Sequence, residues 1–472
     1  MRISGLIGLI ALAAITAGCG DSGHGSHAPA PPDLAASELN PAPLPLGWML
    51  PESRELCEVA PGVLLHRILR GTAEESALPL PCGEVLLTQL VGGGSPASLF
   101  DTGPYAFHIL EIDPQRFSGH LAPALAQNRI AGKATPSQMA AEVGALAAIN
   151  AGFFVVGPGG TASAEPESGA DGLAGDPAGI TVIDGELLSE AVGTREALVF
   201  SRSHWDIRFP RTGTILELDL DGQVLELDGI NRMPGAIRNC GGRGGDSPTE
   251  DARHDVTCTD PDELVRFTPA WGMDTPAVDG LEAVFDAQSR LIETRSPGGP
   301  IPAGGATVVA TGTRVDELLA LAQPQALGVP QASFTMDGEP APVSAEVSML
   351  NGGPGLVRGG EAMLTDREGG FRHPGNPLFG LTWVDGRNPR TLIGRTATGR
   401  ILLVVCDGRQ PGWSAGLPLG DAVRVMQHLG AVDAMNLDGG GSSAMVVHGQ
   451  VVNKPSDGIE RPVSDALLVM TD

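Results

Sequence analysis

Short apolar runs recur along most of the chain, separated by Gly, Pro, Asn and Asp, a spacing that predicts strands more often than helices. Strands are expected at Gly62 to Leu69, Glu84 to Leu90 and Ala106 to Ile112, and through the middle at Ala197 to Phe200, Ile215 to Leu220, Gln223 to Leu227, Leu264 to Thr268 and Thr307 to Thr311. Helical spacing appears at Met139, Val143 and Leu146, after a start at Thr135-Pro-Ser137 in which Thr135 or Ser137 is the cap. The last section is the most regular: strand Ile401 to Val405, helix Leu419 to Leu429 stopped by Gly430, then strands Val432 to Leu437, Ala444 to Val447, Gln450 to Val452 and Ala466 to Met470. Strands outnumber helices without regular alternation, so the expected class is α+β, with mixed β-sheets and a few packed helices.

The pattern breaks at the N-terminus. Arg2 precedes an apolar run, Ile3 to Ile15, that ends in Thr16-Ala-Gly-Cys19, which reads as a signal peptide over residues 1–18 with Cys19 as a lipidation site. Residues 19–45 are poor in large apolar side chains and read as a disordered linker. Residues 46–472 are expected to form one domain with its core at 146–472 and inserts near 157–177 and 239–260. The expected location is exported, as a periplasmic or outer-surface lipoprotein, or secreted if Cys19 carries no lipid. Contact with a membrane is expected only through that anchor.

Charge narrows the possible partners. A net charge of −26 repels phosphate backbones, which argues against nucleic acid as a ligand. Lys133 and Lys454 are the only lysines, so any phosphate clamp must be built from arginine. With Cys19 set aside, proximity pairs Cys57 with Cys82 and Cys240 with Cys258 as disulfides, and leaves Cys406 as a buried free thiol.

Two aspartates end apolar strands and precede glycine. Asp438 lies in Asn436-Leu-Asp-Gly-Gly-Gly-Ser-Ser443, and Asp407 follows Ile401 to Cys406 and precedes Gly408-Arg409. Glycines allow backbone N–H groups to approach a ligand closely, and paired carboxylates serve glycoside hydrolysis as acid, base or nucleophile. The same Asp-Gly pattern also makes ordinary turns, as at Asp184-Gly185 and Asp221-Gly222. Arg395 and Arg461 stand near glycine-rich turns as candidate phosphate ligands. The glycine run lacks the Lys of a P-loop, and the scattered histidines lack metal-ligand spacing, so no cofactor and no metal are expected.

Taken together, Ala148-Ile-Asn-Ala-Gly-Phe-Phe154, Gly353-Pro-Gly-Leu-Val357, Asn388-Pro-Arg-Thr391, Ile393-Gly-Arg-Thr396, Asp407-Gly-Arg-Gln410, Asn436 to Ser443 and Pro455-Ser-Asp457 with Glu460-Arg461 resemble, in this order, the phosphodiester glycosidase family. The resemblance implies a hydrolase that cleaves a sugar-1-phosphodiester at the anomeric carbon, and the export expected from the N-terminus would set it on envelope or extracellular glycan phosphodiesters. It implies Asp438 and Asp407 as catalytic residues, with Arg395, Arg461, Asn150, Asn436, Gly439, Gly440, Ser442 and Glu460 binding substrate. The chain departs from the family at Ala151, where Gly is usual, and at Asp465, where Asn often stands. The alternatives are a non-catalytic glycan-binding module and a phosphodiesterase that cleaves the P–O bond.

Overall fold

The computed structural model of the protein describes residues 37–47, 50–73, 77–82, 87–91, 103–156, 168–169, 172–238, 245–253, 256–372 and 377–472. The expected signal peptide, Cys19 and Cys240 lie outside these residues, as does most of the 157–177 insert.

Two sheets pack face to face to carry the candidate motifs. The larger has nine strands in the order Glu361–Ala362, Gly355–Arg358, Ala431–Asn436, Arg390–Thr396, Ile401–Cys406, Tyr105–Ile112, Val63–Arg70, Glu52–Ala60, Leu87–Val91. The smaller runs Gln450–Val451, Met445–Val447, Ala147–Asn150, Asp465–Thr471, Gly119–Leu125. Strand side chains alternate between faces, and Ile401–Cys406 shows how both faces come to be apolar. Ile401, Leu403 and Val405 join Ile149, Met445 and Leu467 in the core between the sheets. Leu402, Val404 and Cys406 point the other way, toward Ala422, Val425 and Met426 of the helix Leu419–His428. A continuous apolar run is what a strand covered on both sides requires.

The helix Pro136–Val143 begins where the sequence places it. Thr135 is the cap, and a reciprocal capping box with Gln138 closes the first turn. Cys57 and Cys82 form the expected disulfide, and Cys406 is free and buried. Cys258 is disulfide-bonded.

The α+β class needs correction. Strand makes up 42% of the chain and helix 11%, so the protein is mostly β, built from several antiparallel sheets. The cause lies between residues 180 and 350, where hairpin follows hairpin around a separate core of Leu218, Leu225, Leu264, Val308 and Phe285. Arg314–Leu321 is the α-helix of that region. Part of the insert near 239–260 pairs as Ser247–Arg253 with Val256–Thr259.

Candidate active site

Asp438 is fixed by segments from two distant parts of the chain, Asn150–Ala151 and Thr391. Its N–H donates to Ala151 O (2.9 Å), the preceding Leu437 N–H donates to Thr391 O (2.8 Å), and Asn150 Nδ2 donates to Asp438 O (2.7 Å). The chain then turns tightly through a single 3-10 turn, Gly440–Ser442. Gly440 has φ +63°, and a Cβ on Gly441 would overlap the Arg461 guanidinium and the Asp457 carboxylate. The glycines therefore let charged side chains lie against the backbone beside Asp438.

Burial pushes the Asp438 carboxyl up to about 6, and the nearby charge of Asp465 adds to the rise. Hydrogen bonds from the Ser442 hydroxyl and the Gly439 N–H, with the charge of Arg461, work against it. As a residue Asp438 is half-buried, unlike Asn436, Leu437, Gly439 and Gly440 around it, which are buried.

Arginines surround it. Arg461 donates through Nε to Asp457 Oδ2 (2.8 Å) and lies 3.5 Å from Ser442 Oγ through Nη1. Arg409, at φ +58°, donates through Nε and Nη2 to Asn388 Oδ1 (3.0 and 2.7 Å). Both terminal nitrogens of Arg409 lie 3.2 Å from where a Gly440 Cβ would stand. Burial lowers the pKa of Arg409, as does the charge of Arg461, while Asp457 and Asp438 oppose that shift. Arg390, just behind, is fully buried without a carboxylate partner among the described ion pairs. It donates to Leu417 O (2.8 Å) and to the Trp383 and Gly386 carbonyls, over the Trp383 ring at 5.1 Å. Burial lowers its pKa to about 9, with Arg409 adding to the fall. Arginines are thus gathered around Asp438, with the exposed Asp457 paired to Arg461, in a protein whose net charge is −26.

Not all the expected residues meet there. Arg395 pairs in register with Asp433, five residues before Asp438, and donates to Asp433 Oδ2 (2.7 Å). Five residues of strand span about 17 Å, so Arg395 is at the far end of the strand from Asp438. It lines a different cleft, of about 350 Å³, together with Arg358, Asp337 and Phe209. Glu460 is turned toward the helix Pro136–Val143, where its carboxylate accepts from Ser137 N (2.8 Å) and Ser137 Oγ. It therefore holds the 455–461 loop to a helix N-terminus, a favourable place for an anion.

Asp407 is 1% exposed and its oxygens are occupied. Trp413 Nε1 (2.8 Å), Asn453 Nδ2 (2.9 Å) and Lys454 N (3.1 and 3.2 Å) all donate to it, and His108 Nε2 lies 3.4 Å away. These contacts do not describe a carboxylate facing a shared cleft. They tie the loop that bears Arg409 to the loop that bears Asp457 and Arg461. Asn150 and Asn436 are buried as well. Asn150 Oδ1 accepts from Thr391 Oγ1 (2.7 Å) and Ala444 N (3.1 Å), and Asn436 Nδ2 donates to Gly353 O (2.8 Å) and Leu437 O (2.6 Å). Asn150 thus braces the Asp438 main chain, and Asn436 the Gly353 and Leu437 carbonyls next to it.

Arg409, Asp457, Asn388, Arg390 and Asp465 were not singled out as site residues. All but Asp465 stand inside the quoted motifs, and Arg409 directly follows Asp407-Gly408. Asp465 is fully buried and accepts from Gly152 N (2.6 Å) and Ser464 Oγ (2.9 Å), yet burial raises its carboxyl to about 6. Among the described residues no group of three or more His, Cys, Asp or Glu is placed to hold a metal ion.

Residues 277–470 match the family model described as phosphodiester glycosidase. The chain is 39% identical over 90 residues to the SPbeta prophage-derived uncharacterized protein YomE of Bacillus subtilis, covering 19% of this chain and 14% of that protein. It is 29% identical over 117 residues to the N-acetylglucosamine-1-phosphodiester alpha-N-acetylglucosaminidase of Mus musculus, covering 25% of this chain and 22% of the mouse protein. The chain thus matches only a small part of the length of either. A crystal structure from Burkholderia pseudomallei, described as an exported protein, superposes with TM-score 0.76 at 28% identity over 92% of this chain and 99% of that one. No helix among the described residues is long and apolar enough to cross a membrane.

Proposed function

We propose that the protein is an exported phosphodiester glycosidase, hydrolysing a sugar-1-phosphodiester of the cell envelope or its surroundings to free sugar and a phosphomonoester. One observation carries this reading: a half-buried carboxylate, Asp438, raised to about 6 in one cluster with Arg409 and Arg461, whose guanidinium groups lie against the Gly440–Gly441 backbone beside it. The match of residues 277–470 to the phosphodiester glycosidase family supports it.

The arrangement suits a split of labour. Arg409 and Arg461 hold the phosphate oxygens and stabilise the charge that builds there as the anomeric C–O bond breaks and its electron pair moves to the bridging oxygen. A phosphomonoester leaves more readily than a sugar alkoxide, so little acid assistance is needed. Asp438 takes the proton of the attacking water as that water bonds to the anomeric carbon, and a base whose pKa lies just below the working pH is well matched to the task. Asp407 positions both arginine loops, Asn150 holds the Asp438 backbone and Asn436 the carbonyls next to it, and the turn Gly439, Gly440 and Ser442 borders the phosphate. Export through the 1–18 segment, with Cys19 as the anchor, would put these residues among extracellular glycans.

Hydrolysis of a UDP-sugar or a sugar-phosphodiester in ¹⁸O water tests the reaction. Label is expected in the sugar. Label in the phosphate would mean P–O cleavage, and glycan binding without turnover on any sugar-phosphodiester would mean a binding module.

A further inference from the structure

The segment Asn150 to Gly152 is bonded to two carboxylate residues. Asn150 Nδ2 and Ala151 O hold the main chain of Asp438 at 2.7 and 2.9 Å. From the same segment, Ala151 N donates to Asp465 O (3.4 Å) and Gly152 N to Asp465 Oδ1 (2.6 Å). Gly152 must be bare for this fit, because a Cβ there would lie 2.8 Å from Asp465 Oδ2 and 2.6 Å from Asn351 Nδ2. The Asp465 carboxylate has neutral donors, the Gly152 N–H and the Ser464 hydroxyl, and takes part in none of the described ion pairs. The charged groups that interact with Asp438 are Arg461, Arg409 and Asp465, and Asp457 completes the surrounding cluster.

We propose that Asp438 and Asp465, held by one three-residue segment, form a coupled carboxylate pair in which Asp465 is a positioning residue whose charge sets how readily Asp438 accepts a proton. The role assigned to Asp438 rests on the hydrolytic reading above, but the coupling itself does not. Two carboxylates in one buried site resist ionising together, so loss of the proton from one raises the basicity of the other. Asp465 thereby adds to burial in opposing the pull of Arg461 on Asp438. Burial raises both carboxyls to about 6, and the charge of Asp465 adds to the rise at Asp438.

Asparagine has the shape of aspartate and can keep the bond from Gly152, so Asp465→Asn removes the charge alone. Carboxyl ¹³C NMR titration of the full chain is the primary test. In Asp465→Asn the Asp438 midpoint is expected to fall by more than about half a pH unit, and in Asp438→Asn the Asp465 midpoint is expected to fall likewise. The acid limb of kcat/KM on a sugar-phosphodiester should move to lower pH in Asp465→Asn, with KM nearly unchanged. Unmoved midpoints would overturn the pairing, as would an unmoved acid limb in a folded, active variant. If Asp465→Asn does not fold, the Asp465 midpoint in Asp438→Asn decides the question by itself. Absence of turnover in the wild-type chain would defeat the hydrolytic reading, while the titration would still decide the coupling.

Discussion

Asp407 and Asp438 have the same local sequence signature, an apolar strand, an aspartate and a glycine, and they sit in opposite environments. Asp407 is saturated: an indole, an amide side chain and a backbone N–H fill its oxygens, and water has little access. Asp438 receives bonds from the Gly439 N–H and the Ser442 hydroxyl, one donor fewer than Asp407, and lies half-buried within reach of the charge of Arg461. A fully satisfied buried carboxylate builds structure, whereas an under-satisfied one beside cations is available for chemistry. Strand-end position alone does not separate the two; the count of donors does.

The comparison can be broken most directly at Asp438. Asp438→Asn should lower kcat/KM by roughly 10³-fold or more with the fold intact by circular dichroism. Retention of wild-type turnover would remove Asp438 from the reaction. Arg409→Lys loses the forked contact and should raise KM for a phosphodiester by about 10-fold to 100-fold, as read in steady-state kinetics. Asp407→Asn should act first on stability, because its new NH₂ faces donors: a loss of about 2–4 kcal/mol in urea denaturation is expected. Activity would fall with it, and full catalytic loss without destabilisation would return Asp407 to the chemistry. Arg395→Gln should leave kcat/KM within about twofold, since Arg395 engages Asp433 at the other end of the strand.

A smaller effect concerns pH. Asp438 and Asp465 ionise at about 6 in the fold against a usual 3.8, so folding favours their protonated forms. That contribution is complete below pH 3.8 and is lost as pH rises through about 6. Asp438→Asn should therefore be more stable than the wild type at alkaline pH by about 1–3 kcal/mol. The gap should close as the pH is lowered, and a gap that stays constant in denaturation curves across pH would contradict the raised carboxyl.

The strands of the last section were legible because their apolar runs and glycine turns are local signals. Ile401–Cys406, Leu419–His428 and Ala431–Asn436 lie within a residue or so of their expected bounds. The balance of helix and strand was less legible, since the short runs between residues 180 and 350 fix hairpins without revealing how many sheets they build. At the site, residue types could be read and partners could not. The donors to Asp407 come partly from Asn453 and Lys454, and the acceptor for Ser137 is Glu460, contacts that span 46, 47 and 323 residues. Arg395 was excluded by information already in the sequence. Arg390–Thr396 and Ile401–Cys406 form a tight hairpin, with Arg395 beside its closed end and Asp407 at its open end. Those two side chains cannot serve one ligand.

The surplus of acidic groups has a consequence for how a substrate arrives. An anionic substrate approaching a molecule of net charge −26 is repelled at long range and meets attraction only within reach of Arg409 and Arg461. Added salt screens the distant repulsion more than the contact at the arginines, since screening grows beyond a Debye length of about 10 Å at 0.1 M. Encounter with such a substrate should then quicken as ionic strength first rises, the reverse of the slowing seen where opposite charges steer a ligand in.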